Sequence, residues 1–273
     1  MFDDLGQPYD GAPTRVVSLV PSLTEAVAVS APSLLVGATD WCSHPADLDL
    51  PRVGGTKYPT LDRVLALRPD LVLANAEENR PEDVAALRAA GVAVWVTYPR
   101  SLDQAFVSLA RMFEALRVAR PAWLDDAVDA WSGAAEPALD GATSRRGGSG
   151  GGSAGGVRRR AVVPVWRRPW VVLGGDTFAG DLLHRLGIDN VYADASDRYP
   201  RPGLDEIVAH RPDLVVLPDE PYAFPADDGP EAFPGVPCAL VSGRHLTWYG
   251  PSLVEARTLL AGQLAATTTW EAP

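Results

Sequence analysis

One 19-residue stretch of this chain occurs twice, and the two copies constrain the fold more than any other feature of the sequence. The copies read LDRVLALRPDLVLANAEEN from Leu61 and LDEIVAHRPDLVVLPDEPY from Leu204, 143 residues apart. Solenoid repeats are only about 20 to 50 residues long, whereas this separation is about the size of a whole domain. We therefore predict a duplicated lobe.

Each copy predicts a short helix followed by a buried strand. The first half has apolar residues at helical spacing, and Pro69 or Pro212 ends the helix because proline cannot extend its hydrogen bonds. The continuous apolar runs at 71–74 and 214–217 are typical of parallel strands that are covered on both faces. The polar clusters AEEN and PDEPY then lie at the carboxyl ends of strands, the edge at which open α/β sheets bind ligands.

Length, charge and composition exclude some classes of protein. A chain of 273 residues can form two lobes, and a net charge of −11 argues against nucleic acid as the partner. No run approaches the roughly 18 apolar residues that span a bilayer, so we expect no membrane insertion. Cys42 and Cys238 fall in different halves of the chain and give no disulfide framework.

The amino-terminal sequence MFDDLGQPYDGAPTR indicates where the protein is located. It has acidic residues where a signal peptide would be basic, and it contains no apolar core. We therefore expect a cytoplasmic protein. The alternative is an exported protein whose true start lies upstream of Met1.

The order of predicted elements divides the chain into four segments. Residues 1–120 alternate strands and helices and form an N-terminal α/β lobe, and residues 161–273 form a C-terminal one. Between them, 121–140 has an apolar stripe at helical spacing and predicts a helix that joins the lobes. The segment 141–160 is rich in glycine and serine, and we expect a disordered loop.

Several motifs, in this order and spacing, resemble a known family. RVVSLVPSLTEAV, VGATDWCSHP, RVGGTKYPTLDRVLALRPDLVLA, RLGIDNVYAD and YPRPGLDEIVAHRPDLVV resemble the cobalamin and siderophore binding proteins of ABC importers. These are class III substrate-binding proteins of the helical-backbone metal receptor superfamily. The resemblance runs from about Arg15 to Leu264 and leaves out the glycine-rich insert. It implies an α/β fold with two Rossmann-like lobes, a single long joining helix and a ligand cleft between the lobes.

The resemblance also assigns roles to residues in both copies of the repeat. In cobalamin-binding members, an aromatic residue stacks on the ligand six positions before an acidic residue that docks on the permease. The aromatic positions are Thr56 and Tyr199 here, so the first aromatic is lost, and Tyr58 is close enough to replace it. The acidic positions are Asp62 and Asp205, which would contact an ABC permease, although an acidic residue is also favoured in any first helical turn.

Other candidate contacts follow predicted strands as aromatic, arginine or histidine residues in short loops. Together with the two tyrosines, the predicted ligand contacts are Trp41, Tyr58, Trp166, Arg167, Tyr199, Arg244, His245 and Trp248. Tryptophan offers a flat stacking surface, and arginine both stacks and forms paired hydrogen bonds. The alternative for Trp166 is packing in the core, and the alternative for Trp248 is that it positions the last helix of the chain. His44 could ligate a metal, although one histidine beside one cysteine is not a metal signature.

The leading interpretation is a monomeric, non-enzymatic binding protein for a corrinoid or another chelated metal. It requires no cofactor of its own, because cobalamin or a similar metal chelate would be its ligand. One alternative is a chelatase-like enzyme that uses His44, His245 and the strand-end carboxylates. Another is a scaffold that binds a protein through Asp62 and Asp205.

Overall fold

The computed structural model describes residues 1–133 and 158–271, and the chain divides into two compact units. Unit 1 comprises Met1–Val128 and Trp248–Val254, and unit 2 comprises Asp129–Thr247 and Glu255–Pro273. The chain therefore returns to unit 1 for seven residues after it has passed through most of unit 2. No helix of the described residues is both long enough and apolar enough to cross a membrane.

Unit 1 contains a four-stranded parallel sheet with the strand order β2–β1–β3–β4. The strands are β1 (Val16–Ser18), β2 (Leu35–Ala38), β3 (Leu71–Asn75) and β4 (Ala93–Thr97). The helices are α1 (Pro21–Ser30), α2 (Leu61–Ala66), α3 (Pro81–Ala89), α4 (Leu102–Ala115) and α5 (Ala122–Ser132). All residues of β1 and β3 are buried, as expected for parallel strands covered on both faces.

Helix α5 is the described part of the helix predicted at 121–140. The boundary between the units falls inside it, after Val128, so this helix connects them along the chain. Residues 134–140, and the part of the predicted glycine-rich loop up to residue 157, lie outside the described residues. The predicted boundary of this loop at residue 160 is wrong, because Arg159 and Arg160 already belong to a strand that pairs with two neighbouring strands.

Unit 2 contains a five-stranded sheet with the order β11–β10–β9–β5–β8, in which only β11 is antiparallel. Its strands are β5 (Arg159–Val162), β8 (Ile188–Asn190), β9 (Leu214–Pro218), β10 (Pro237–Val241) and β11 (Thr268–Thr269), and a separate antiparallel pair is formed by β6 (Pro164–Trp166) and β7 (Val171–Val172). The helices are α6 (Phe178–Arg185), α7 (Leu204–Ala209), α8 (Gly243–Thr247) and α9 (Leu253–Ala265). The predicted α/β class with parallel sheets is confirmed.

The two copies of the repeat have the same local structure. Helices α2 and α7 are each six residues long, and each is followed after a short turn by a five-residue strand that is fully buried. Arg68 and Arg211 adopt left-handed conformations, with φ angles of 49° and 48°. The helix therefore ends through a left-handed residue just before the proline, and the proline then prevents it from resuming.

The aspartate of each RPD motif joins its strand to the first strand of its sheet. The Asp70 carboxylate accepts hydrogen bonds from the backbone N–H groups of Thr14 and Arg15 at 2.8 and 2.9 Å. In the second copy, the Asp213 carboxylate accepts one from the Arg160 N–H at 2.9 Å. Strand β1 lies next to β3, and β5 lies next to β9. The aspartates of the two RPD motifs therefore connect neighbouring strands and stabilise the sheets.

Candidate functional site

The carboxyl ends of the parallel strands in unit 1 carry an anchored loop at residues 54–60. The Asp40 N–H, just after β2, donates to the Gly54 carbonyl at 2.9 Å. The Asn79 side-chain amide donates to the Thr56 carbonyl at 2.9 Å, and the Thr56 hydroxyl lies 3.2 Å from that of Thr39. Thr56 is therefore half-buried and used in anchoring the loop, which is why this position offers no stacking surface.

Two large aromatic side chains are exposed beside this anchored loop. Trp41 is 68% exposed and Tyr58 is 69% exposed. A Cβ added to Gly55 would lie 3.8 Å from the indole nitrogen of Trp41 and 3.8 Å from the Tyr58 carbonyl oxygen, so Trp41 reaches the loop that carries Tyr58. The structure thus brings two of the predicted ligand contacts to the same edge of the unit 1 sheet.

The side chains of Cys42 and His44, which follow Trp41, have structural partners. Cys42 is buried, with its sulfur 3.0 Å from the Thr24 hydroxyl and 3.1 Å from the Thr39 hydroxyl. Burial raises the pKa of the Cys42 thiol although both hydroxyls lower it, so the thiol is unreactive at neutral pH. His44 Nδ1 lies 3.1 Å from the Ser43 hydroxyl.

The segment after α8, which includes the predicted ligand contact Trp248, packs into unit 1. Trp248 is only 8% exposed, and its ring meets that of His44 edge-on at 5.5 Å. The next residue, Tyr249, is also buried, and its hydroxyl accepts a hydrogen bond from Asn75 Nδ2 at 2.7 Å and lies 2.8 Å from the Thr97 hydroxyl. Both residues therefore attach the returning segment to unit 1.

In unit 2, Trp166 belongs to an aromatic cluster. Its ring meets the Tyr222 ring edge-on at 5.5 Å, and Trp166 remains exposed at the end of β6. Tyr222 contacts Phe224, which in turn stacks on Trp170. Trp166 is thus the exposed end of a cluster whose inner members form part of the core.

Arg167, a predicted ligand contact, forms ion pairs with carboxylates of unit 2. Its side chain is 14% exposed, and it forms ion pairs with Asp228 and with Glu231, the latter at 2.6 Å. The hydrogen bond from Tyr222 and then the charge of Arg167 lower the pKa of Asp228, so this carboxylate stays ionised at neutral pH. The Arg167 side chain therefore holds the loop that contains these acids.

Tyr199 is exposed on a loop that is anchored to the end of β7. The Val172 N–H donates to the Pro200 carbonyl at 2.9 Å, and the Gly174 N–H donates to the Arg198 carbonyl at 2.8 Å. A Cβ on Gly174 would lie 2.3 Å from the Asp197 carbonyl oxygen. Only glycine allows this close approach, so Gly174 lets the loop that carries Tyr199 pack against the end of β7.

The structure places Arg244 and His245 in helix α8, not in the predicted loop. His245 is 7% exposed, and its two ring nitrogens lie 2.8 Å from the Ser242 hydroxyl and 3.0 Å from Glu255 Oε1. Arg244 Nη1 lies 3.9 Å from the same Glu255 oxygen. Both ring nitrogens of His245 therefore have partners within unit 2, and its role as a polar ligand contact stays a prediction.

The predicted docking residues occupy equivalent, exposed positions. Asp62 lies in the first turn of α2 and Asp205 in the first turn of α7, and both side chains are exposed. This placement fits either contact with a partner or a favourable interaction with the helix dipole. Their role stays a prediction.

One of the strand-end carboxylates proposed for an enzyme has a structural use within unit 2. Asp219, after β9, accepts a hydrogen bond from the Gly243 N–H at 2.6 Å and so fixes the start of α8. Within residues 1–133 and 158–271, no three His, Cys, Asp or Glu side chains are grouped so that they could hold a metal ion. His44 is therefore not part of such a group.

Comparisons with known proteins add to this geometry, although no family profile matches the chain. Over 211 residues it is 24% identical to the vitamin B12-binding protein of Photorhabdus laumondii subsp. laumondii, covering 76% of this chain and 71% of that protein. The periplasmic vitamin B12 binding protein BtuF of Vibrio cholerae superposes with a TM-score of 0.66 at 17% identity, covering 94% of this chain and 98% of that one. The periplasmic heme-binding protein RhuT from Roseiflexus sp. RS-1 gives a TM-score of 0.70 at 19% identity, covering 92% and 97%.

These similarities confirm one prediction and contradict another. The resemblance to the helical-backbone metal receptors is confirmed by a sequence relative and by two structures with the same fold. The predicted cytoplasmic location is contradicted, because the similar structures are those of periplasmic proteins.

Proposed function

We propose that this chain, which has the fold of the helical-backbone metal receptors, is an exported binding protein for a chelated metal in a large, flat organic ligand. Corrinoids are the first class to test, and heme is the second. The observation that carries the proposal is the exposed pair Trp41 and Tyr58 beside the anchored loop of unit 1. The ligand classes come from what the similar proteins are named to bind.

An exposed aromatic pair at this position suits a flat, conjugated ligand. Trp41 and Tyr58 each leave about two thirds of their surface open, whereas most other large apolar side chains in unit 1 are buried. Stacking of aromatic faces contributes roughly 0.5 to 1.5 kcal/mol beyond the burial of area. One such surface on the anchored loop and a second beside it therefore favour a planar chelate over a small hydrophilic solute.

The test is a titration of the purified protein with cyanocobalamin, dicyanocobinamide and heme, followed by absorbance and calorimetry. We expect saturable binding of one probe at about one per chain. Trp41→Ala and Tyr58→Ala should each weaken binding roughly two- to tenfold, which corresponds to the loss of one stacking contact. Phe2→Ala, which removes another exposed aromatic side chain of unit 1, should leave the affinity unchanged.

The same titration tests whether unit 2 contributes to binding. Trp166 and Tyr199 are its exposed aromatic side chains near strand ends, and Trp166→Ala and Tyr199→Ala should weaken binding to a similar extent. If none of the three probes binds, the proposed ligand class is wrong. If a probe binds but all four variants bind as the wild type does, the aromatic residues are not the site.

Delivery to an ABC permease is the transport role that we propose for the chain. Asp62 and Asp205, at matching exposed positions, are the proposed docking residues. Asp62→Ala and Asp205→Ala should keep the ligand affinity and reduce ligand uptake in a strain that expresses the transporter. Unchanged uptake in the double variant would remove these residues from the docking surface.

A further inference from the structure

Arg80 covers one face of the Tyr58 ring. The guanidinium carbon lies 4.8 Å from the ring centroid, within the range of a cation–π contact. Tyr58 is nevertheless 69% exposed, so most of the ring surface remains accessible to solvent. The ring therefore has one supported face and one open face.

Arg80 is itself held by two neighbouring carboxylates at the start of α3. Its Nε and Nη2 each donate to an oxygen of Asp83 at 2.8 Å, which is a bidentate pair. Its Nη1 lies 3.3 Å from Glu82. Because the Asp83 side chain is buried, the planar guanidinium has a defined orientation and not only a defined location.

The backbone on both sides of Tyr58 is also held. Thr56, two residues before it, is bonded through its carbonyl and hydroxyl to Asn79 and Thr39. On the other side, Pro59 forms a bridge with Gly54, and the Thr60 N–H donates to the Val53 carbonyl at 2.7 Å. With the backbone held, the freedom left to Tyr58 is rotation of its side chain, and Arg80 opposes this rotation.

We propose that Arg80 is a positioning residue that holds the Tyr58 ring with its open face towards a flat ligand, and that Asp83 orients Arg80. The Arg80–Tyr58 pair then provides the stacking wall of unit 1 that position 56 lacks. This inference rests on the proposed function. Arg80 acts by reducing the side-chain freedom that Tyr58 would otherwise lose when the ligand binds.

A double-mutant cycle on the binding of dicyanocobinamide tests this proposal. Arg80→Met retains much of the apolar chain and removes the guanidinium, and we expect it to weaken binding roughly three- to tenfold. In a Tyr58→Ala background, the same substitution should change the affinity less than twofold. Arg185→Met is the matched control, because it removes an arginine bonded to an aspartate on α6 and should leave the affinity unchanged. An equal loss in both backgrounds would overturn the proposal.

A second measurement does not require a ligand. Fluorine NMR of the protein containing 3-fluorotyrosine resolves its seven tyrosines, and Tyr58→Phe identifies the resonance of residue 58. Arg80→Met should shift and narrow that resonance as the ring gains freedom, whereas Arg185→Met should not. An unchanged resonance would refute the positioning role. If no probe binds to the wild type, the proposed function fails, and the fluorine spectrum still decides the role of Arg80.

Discussion

Replacing Tyr249 with phenylalanine should destabilise unit 1 by about 1 to 3 kcal/mol at neutral pH. The Tyr249 hydroxyl is the closest partner of Asn75 Nδ2, at 2.7 Å, and it also contacts the Thr97 hydroxyl at 2.8 Å. All three residues are buried. Phenylalanine keeps the ring but leaves the Asn75 amide with only a 3.5 Å contact to Thr97, and a buried donor without a good partner costs about this much.

The same substitution should change how stability depends on alkaline pH. Burial, followed by the charge of Glu78, raises the pKa of Tyr249 far above its ordinary value of about 10. In the unfolded chain this phenol loses its proton above about pH 10, while in the folded chain it keeps it. The contribution of Tyr249 to stability is therefore complete below about pH 10 and is lost as the pH rises further. Between pH 10.5 and 11.5 the advantage of the wild type over Tyr249→Phe should shrink by about 1 kcal/mol.

The assay is urea denaturation followed by circular dichroism, with hydrogen exchange of β3 and β4 to locate the loss of stability in unit 1. Tyr9→Phe is the control at neutral pH. The Tyr9 hydroxyl forms no hydrogen bond within the described residues, so its removal should change stability by less than about 0.5 kcal/mol. Two results would refute the reasoning: a loss below 0.5 kcal/mol for Tyr249→Phe at pH 7, or a constant difference from wild type up to pH 11.5.

Three further predictions concern backbone positions and the repeat. Gly174→Ala should destabilise the protein by about 1 to 3 kcal/mol because the new Cβ meets the Asp197 carbonyl oxygen at 2.3 Å, whereas Gly203→Ala has open space and should be tolerated in the same thermal melt. Arg68→Gly should stabilise the protein by about 0.5 to 1 kcal/mol in urea, because relief of the left-handed conformation outweighs the added chain entropy. Burial raises the pKa of Asp70, but its backbone hydrogen bonds outweigh this and lower it overall. Asp70→Ala should therefore cost about 1 kcal/mol at pH 7, and this cost should shrink as the pH falls below about 4, because the unfolded chain then binds a proton before the folded one does.

The sequence predicts the fold well where the information is local or repeated. The copies at Leu61 and Leu204 predict a helix, a proline stop and a buried strand, and the structure has all three in both places. Trp41 and Tyr58 could also be identified, because a large aromatic residue in a polar loop after a strand has few core positions available. The resemblance to the helical-backbone metal receptors then predicts that these strands form parallel sheets.

The sequence predicts less about residues whose partners are distant in the chain. Arg167 follows a strand beside two tryptophans, and nothing local indicates that Asp228 and Glu231 will neutralise it. His245 is occupied by Glu255, which lies on the next helix. In both cases the residue type suits a binding site, and only the folded structure shows that another side chain already uses it. The i to i+3 spacing of Arg80 and Asp83 was the one local pattern that could have indicated an oriented arginine.

The return of residues 248–254 to unit 1 has a consequence for synthesis and dissection of the protein. A fragment that ends after α5 contains every strand of the first sheet, yet it lacks Tyr249 and leaves the buried amide of Asn75 and the hydroxyl of Thr97 without this partner. The core of such a fragment should therefore contain polar groups that lack their native partner. We expect the fragment to aggregate or to remain loosely packed. On the ribosome, the interior of unit 1 therefore stays incomplete until residues 248–254 have been made, long after the rest of the unit.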